Sequence, residues 1–152
     1  MKNVLQFTYA DRMLSLHTGR LNGSVAVSKP LYIMAIIDAI ELDKLTENRI
    51  NLDNEFMRKR FGQLYEQVNG NKKGNEISFF VRPFYHLGSS FFYHLIWQRG
   101  INPPTNSTTP SAKYLRENLL YAKLDDELWD LLQDAESRKF LKQSIIKRYL
   151  TK

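Results

Sequence analysis

The segment from Leu31 to Leu42 is almost wholly apolar, and it constrains the fold more than any other part of the chain. Ser28, Lys29 and Pro30 stand just before it, and they suit a helix start because serine can cap a helix and proline fits the first turn. A helix on a protein surface carries apolar residues on one face, whereas this segment carries them on all sides. The sequence therefore predicts a central helix that is buried on both sides.

Apolar residues at helical spacing predict further helices around this central one. The segment 4–16 suits a first helix, and Asn51 to Asp53 offer a cap for a third helix that ends at Asn69-Gly70-Asn71. Residues 101–110 contain three prolines and form an irregular connection. After it we expect helices over 111–120, 125–133 and 136–150. About six helices are predicted in all.

One aromatic stretch predicts a small antiparallel sheet. Ile77 to Val81 and Phe91 to Trp97 are rich in aromatic and β-branched residues, which favour strands, and Phe-Tyr-His-Leu occurs twice around a Gly-Ser-Ser turn. A hairpin centred on Ser90 would place His86 opposite His94, with Pro83 at an edge or bulge because proline has no N–H to donate. The predicted fold class is α+β, mostly helical, with one small aromatic β-hairpin.

The length and composition suit a single domain over residues 1–152, since 43% of the 152 residues are hydrophobic. No apolar run reaches the roughly 18 residues that a membrane helix requires, and the first ten residues lack the features of a secretory signal. We therefore expect a cytoplasmic protein with no membrane partner. The chain has no cysteine, which excludes disulfides, thiolate nucleophiles and Cys-ligated metals.

The charge balance favours a polyanionic partner. The chain has 22 Lys and Arg against 16 Asp and Glu, a formal net charge of +6. The cations cluster at 58–60, at Lys72 and Lys73, and over the last eighteen residues. A solvated basic face explains any one cluster equally well, but three clusters in a small domain favour nucleic acid.

Few residues suit catalysis. The three histidines are His17, His86 and His94, and no carboxylate stands at a metal-ligand spacing from them. The chain has neither a Gly-rich phosphate loop nor a Gly-x-Ser-x-Gly elbow. We expect a binding protein without a cofactor or metal.

Five short motifs occur in an order that resembles a known family. They are Lys29-Pro30-Leu31, Pro83-Phe84-Tyr85-His86-Leu87, Trp97, Leu115-Arg116-Glu117 and Asp126-Glu127-Leu128-Trp129-Asp130-Leu131-Leu132. This set resembles the N-terminal sulfur-binding domain of McrA-like HNH restriction endonucleases. The resemblance implies a module of a restriction or defence system that recognises phosphorothioate-modified, or otherwise modified, double-stranded DNA. It also implies that a nuclease is a separate domain or effector protein, because this chain has no HNH motif.

The resemblance implies an apolar socket for sulfur, with Pro83 as a wall and His86 one turn further on. Lys29 stands at the basic position before the helix proline, and Arg116 or Lys113 at a later cationic position. Arg82 replaces an aromatic residue that is frequent in the family, and its methylene stem can cover sulfur while its guanidinium meets a phosphate. The candidate DNA-binding residues are Ser28, Lys29, Pro30, Arg82, Pro83, Tyr85, His86, Lys113, Arg116, Arg20, Lys72 and Lys73.

Alternatives remain for several of these residues. Pro83 also suits the simple role of blocking an edge strand, and Tyr85 that of a packed amphipathic tyrosine. For the whole chain, the alternative is a protein-interaction module that docks a partner through its aromatic hairpin, with the basic charge serving solubility.

Overall fold

The computed structural model describes residues 2–16, 20–21, 24–25, 27–104 and 108–150. Seven α-helices and four short strands lie within these ranges, so the prediction of an α+β, mostly helical fold is confirmed. In chain order the elements are α1 (Lys2–Leu14), β1 (Arg20–Leu21), β2 (Ser24–Val25), α2 (Ser28–Glu41), α3 (Glu55–Asn69), α4 (Ile77–His86), β3 (Tyr93–Trp97), α5 (Ala112–Asn118), β4 (Leu119–Leu124), α6 (Asp126–Leu131) and α7 (Ala135–Ile145). None of the helices in the described ranges is long and apolar enough to cross a membrane.

Helix α2 is the central helix that its composition predicts. Every residue from Pro30 to Ile40 is buried, and the helix packs against α3, α4 and α7. The prediction that Ser28 caps this helix is wrong, because Ser28 is already helical. Val27 is at the N-cap position, and its side chain makes no capping hydrogen bond. Helix α3 ends as predicted, with Gly70 in the left-handed conformation at φ 75°.

The predicted strand from Ile77 to Val81 is instead part of helix α4. Phe80 and Phe84 lie one helical turn apart, and both rings make T-shaped contacts with the Tyr32 ring in α2. This packing against the central helix outweighs the strand preference of aromatic residues. Pro83 is therefore inside a helix and buried, and is not at the edge of a sheet.

The predicted hairpin between the two Phe-Tyr-His-Leu repeats does not form. Strand β3 pairs antiparallel with β4, so that His94 lies opposite Lys123, while His86 is the last residue of α4. Residues 119–120 were expected at the end of a helix but begin β4. The register shifts between Ile96 and Trp97, which leaves a bulge. A small antiparallel sheet is present, but the strand that pairs with β3 is β4, which follows the Pro-rich connection.

Two buried polar groups tie the core elements together. The carboxylate of Asp38 in α2 is 3% exposed and accepts hydrogen bonds from Arg60 Nε at 2.8 Å and Lys142 Nζ at 2.5 Å. The hydroxyls of Tyr32 and Tyr93 lie 2.9 Å apart, and Tyr93 donates to the Phe84 carbonyl at 2.7 Å. These contacts fix α2 relative to α3, α4, α7 and β3.

Candidate nucleic-acid interface

The start of α2 and the end of α4 bring Lys29 and His86 close together. Both side chains are half-buried. Burial lowers the pKa of the Lys29 ammonium below its usual value. Burial, and then the positive charge of Lys29, lower the pKa of His86 below 6.5. A cation that is partly stripped of water therefore stands beside an imidazole that is mostly neutral at pH 7.

His86 is held by two neighbours. Its Nε2 atom lies 2.7 Å from the Oγ1 atom of Thr109, and its ring meets the Tyr85 ring edge-on at a centroid distance of 5.0 Å. Thr109 lies in the connection before α5. Groups from α4 and from the connection before α5 thus orient the imidazole. Because the ring is mostly neutral and held in place, it offers an apolar surface beside the charge of Lys29.

A row of aromatic rings continues from His86 across three elements. Tyr85 meets Trp97 of β3 at 6.5 Å between ring centroids, and Trp97 meets Tyr114 of α5 at 6.3 Å. Burial, followed by the nearby Tyr114, raises the pKa of Tyr85. An open depression of about 480 Å³ adjoins these rings, and its lining includes Tyr85, His86, Trp97, Pro103 and Pro104.

The side chains of Arg82 and Pro83 differ in access to solvent. Arg82 is exposed, and its guanidinium carbon lies 5.1 Å from the centroid of the Phe79 ring. Pro83 is buried within α4. The Arg82 side chain is thus available to a ligand, whereas the Pro83 ring offers little free surface.

The later cations lie on α5. Lys113 and Arg116 are both exposed. Arg116 forms a two-pronged contact with Asp53, with Nη2 to Oδ1 at 2.8 Å and Nε to Oδ2 at 2.9 Å. The hydrogen bonds from Arg116 lower the pKa of Asp53. Arg116 therefore already holds an anionic group.

Of the remaining candidates, Ser28 and Pro30 flank Lys29, and the others lie on separate segments. Lys72 and Lys73 are exposed at a short 3-10 turn, Lys73–Asn75, that packs against α3. Ser28 is half-buried and Pro30 is buried in the first turn of α2. Arg20 pairs with Val25 between β1 and β2, and its side chain lies outside the described part, as does all of His17.

A second polar cluster surrounds Asp125. His94, which the sequence placed opposite His86, is exposed and bonds through Nε2 to Asp125 Oδ1 at 2.5 Å. The Tyr9 hydroxyl donates to Asp125 Oδ2 at 2.9 Å, and burial together with that bond raises the pKa of Tyr9. No group of three or more metal-binding side chains occurs in the described ranges.

Sequence reasoning missed Thr109 and Asp53 as neighbours of candidate residues. Thr109 is 23 positions from His86, and Asp53 is 63 positions from Arg116. Neither lies in a local motif that could have pointed to its partner.

No family model and no curated protein matches the sequence. Solved structures are nevertheless similar in fold. The sulfur-binding domain of ScoMcrA, complexed with phosphorothioated DNA, matches with a TM-score of 0.73 and 15% identity over 93% of this chain and 87% of that chain. The sulfur-binding domain of SprMcrA, also complexed with phosphorothioated DNA, matches with a TM-score of 0.73 and 13% identity over 99% of this chain and 89% of that chain.

A longer ScoMcrA chain that contains a sulfur-binding domain and an SRA domain matches with a TM-score of 0.74 and 16% identity. That match covers 93% of the present chain and 42% of the longer chain. The Type IV phosphorothioation-dependent restriction endonuclease ScoMcrA also matches, over 93% of the present chain and 24% of its own chain. The present chain therefore has the fold of the sulfur-binding domains, as its motifs predicted, and corresponds to less than half of the longer ScoMcrA chains.

Proposed function

We propose that this chain is a non-catalytic module that binds double-stranded DNA and recognises a phosphorothioate, or another modification of the backbone. The observation that carries the proposal is the match over 93% of the chain to a domain complexed with phosphorothioated DNA. The formal net charge of +6 supports a polyanionic ligand. The chain would act as one domain in the cytoplasm, with any nuclease supplied by another domain or protein.

The surroundings of Lys29 and His86 suit a sulfur-substituted phosphate. In a phosphorothioate one non-bridging oxygen is replaced by sulfur, which keeps the negative charge but is larger and a poorer hydrogen-bond acceptor. The ammonium of Lys29 meets the charge, while the mostly neutral His86 ring and the Tyr85 ring provide an apolar contact. At this site an ordinary phosphate oxygen would lose hydrogen bonds to water without gaining equivalent hydrogen bonds from the protein, which disfavours unmodified DNA.

The cations around this site position the duplex. The exposed Arg82 and Lys113 would contact neighbouring phosphates, and Arg116 would do so further along α5. Lys72 and Lys73, on the turn that packs against α3, would add further phosphate contacts, with Ser28 and Pro30 shaping the first turn of α2. Phosphate contacts of this kind set the register and supply affinity, whereas the sulfur contact supplies selectivity. Pro83 would contribute by shaping α4 beneath Arg82, because it is buried.

A competition binding assay at fixed salt tests the proposal. Matched duplexes that differ in a single phosphorothioate of defined stereochemistry, in several core sequences, compete for the wild-type chain and for His86→Ala and Lys29→Ala. Lys44→Ala, which removes an exposed cation just after the end of α2, is the matched control. We expect the wild type to bind the sulfur duplex more tightly than the unmodified one. His86→Ala should bind the two duplexes equally, and Lys29→Ala should bind both more weakly than the wild type does. Equal binding of both duplexes by the wild type would leave a general DNA binder.

The alternative is a protein-interaction module. The observation in its favour is Phe91, whose side chain is 82% exposed just before β3. Absence of binding to every duplex, even at about 50 mM salt where phosphate contacts are strongest, would favour this alternative.

A further inference from the structure

The contact between Arg116 and Asp53 has the geometry of an arginine bound to a phosphate. Nη2 lies 2.8 Å from Oδ1, and Nε lies 2.9 Å from Oδ2 and 3.2 Å from Oδ1. Arginine binds carboxylates and phosphates through the same planar fork. Both side chains are open to solvent, with 45% of Arg116 and 52% of Asp53 exposed. A DNA phosphate can therefore reach the place that the carboxylate occupies.

A second arginine lies near the same carboxylate. The charge of Arg58, on the first turn of α3, adds to the effect of Arg116 in lowering the pKa of Asp53. A phosphate in the place of the carboxylate would meet the positive charge of both arginines.

The position of Asp53 is fixed by its neighbours in the chain. Ile50 exchanges backbone hydrogen bonds with Ala122 at 2.8 and 2.9 Å, and Leu52 is buried. Asn54 then caps α3 by accepting from the Met57 amide. The backbone on both sides of Asp53 is thus anchored, and this places the carboxylate next to Arg116.

We infer that Asp53 occupies a phosphate site made by Arg58 and Arg116, and that it is an autoinhibitory residue which DNA must displace. This inference rests on the proposed DNA-binding function. Displacement of the carboxylate opposes every duplex equally, so a duplex binds well only if it gains further contacts at Lys29 and His86. By occupying this site, Asp53 lowers the affinity for every duplex by the same factor, so that at a limited protein concentration a duplex is bound only if it also gains the sulfur contact.

The test is the affinity of Asp53→Asn for an unmodified duplex at fixed salt, in the full chain. Asp126→Asn is the matched control, because Asp126 is 81% exposed, is paired with Lys123 at 2.9 Å, and loses the same single charge. We expect Asp53→Asn to bind unmodified DNA about fivefold more tightly than Asp126→Asn does. A change of about fivefold in affinity corresponds to the upper end of the free energy that an exposed ion pair contributes. The affinity for the sulfur duplex should rise by the same factor, so that the ratio of the two affinities stays as in the wild type.

A further variant separates the phosphate site from a general charge effect. Adding Arg116→Gln to Asp53→Asn should abolish the gain, because the vacated guanidinium is what the phosphate contacts. If Asp53→Asn binds unmodified DNA no more tightly than Asp126→Asn, while the wild type still prefers the sulfur duplex, the inference on Asp53 is wrong and the proposed function stands. If none of the proteins binds DNA, both are wrong.

Discussion

The Nε2 atom of His86 lies 2.7 Å from Oγ1 of Thr109, which joins the end of α4 to the connection before α5. Burial and Lys29 lower the His86 pKa, so we expect an NMR titration of the free protein to give a value below 6.5. A bound phosphate should raise that pKa, and affinity for DNA should therefore increase as the pH falls from about 7 to about 5.5. An unchanged His86 pKa on DNA binding would argue against contact there.

The same shift has a consequence for folding. The unfolded chain binds the His86 proton near pH 6.5, whereas the folded chain binds it at lower pH. The stabilising contribution is therefore complete above pH 6.5 and is lost as the pH falls through the folded-state value. Urea unfolding at several pH values should show less loss of stability on acidification in His86→Gln than in the wild type.

Lys29→Ala should reduce the salt dependence of DNA binding. A cation that neutralises one phosphate contributes about 0.9 to the slope of log affinity against log salt concentration. We expect the slope to fall by about that amount in Lys29→Ala and to stay unchanged in Lys44→Ala. Equal slopes in the two variants would show that Lys29 does not neutralise a phosphate.

The two buried tyrosines should differ in their contributions to stability. The Phe84 carbonyl can only accept, so the Tyr93 hydroxyl donates its proton there and accepts from Tyr32. Tyr93→Phe removes both bonds and should cost about 2 kcal/mol of unfolding free energy, whereas Tyr32→Phe removes one and should cost about 1 kcal/mol. Denaturant unfolding measures both, and a greater loss in Tyr32→Phe would reverse the assigned direction of the bonds.

Gly74→Ala should loosen the turn that carries Lys72 and Lys73. A Cβ atom at Gly74 would lie 2.7 Å from the Tyr65 Cβ and 3.3 Å from the Gly62 Cα, and neither atom can rotate away. We expect a loss of about 1–3 kcal/mol in unfolding free energy, as for other overpacked sites. Gly100→Ala offers a contrast: its Cβ would meet nothing within 4 Å, and any cost there comes from its φ of 85°. An unfolding free energy for Gly74→Ala equal to that of the wild type would contradict the close packing.

The parts of the fold that were predicted correctly are those specified by local sequence. The composition of Leu31 to Leu42 required burial on all sides, and Gly70 marked the end of α3 because it favours a left-handed backbone. Helix α4 was missed because its aromatic residues have strand preference, although Phe80 and Phe84 also have helical spacing. Strand β4 was missed because it pairs with residues 22 or more positions away, which local signals do not report.

The candidate site shows the same division. Lys29 and His86 were nominated through the family resemblance, and the structure places them together. The expected pairing of His86 with His94 was wrong because it followed from the hairpin. The carboxylate at Arg116 and the hydroxyl at His86 come from distant segments, and only the folded chain reveals them.

The buried Asp38 alters how the basic residues of this protein should be surveyed by mutagenesis. Arg60 and Lys142 belong to basic clusters, yet both are bound to the Asp38 carboxylate in the core. Replacing either with alanine leaves a buried charge short of a partner, which destabilises the fold. In an alanine scan both would register as false positives, with DNA binding lost through unfolding. The positive charge available to a ligand is therefore smaller than the count of cations in the sequence implies.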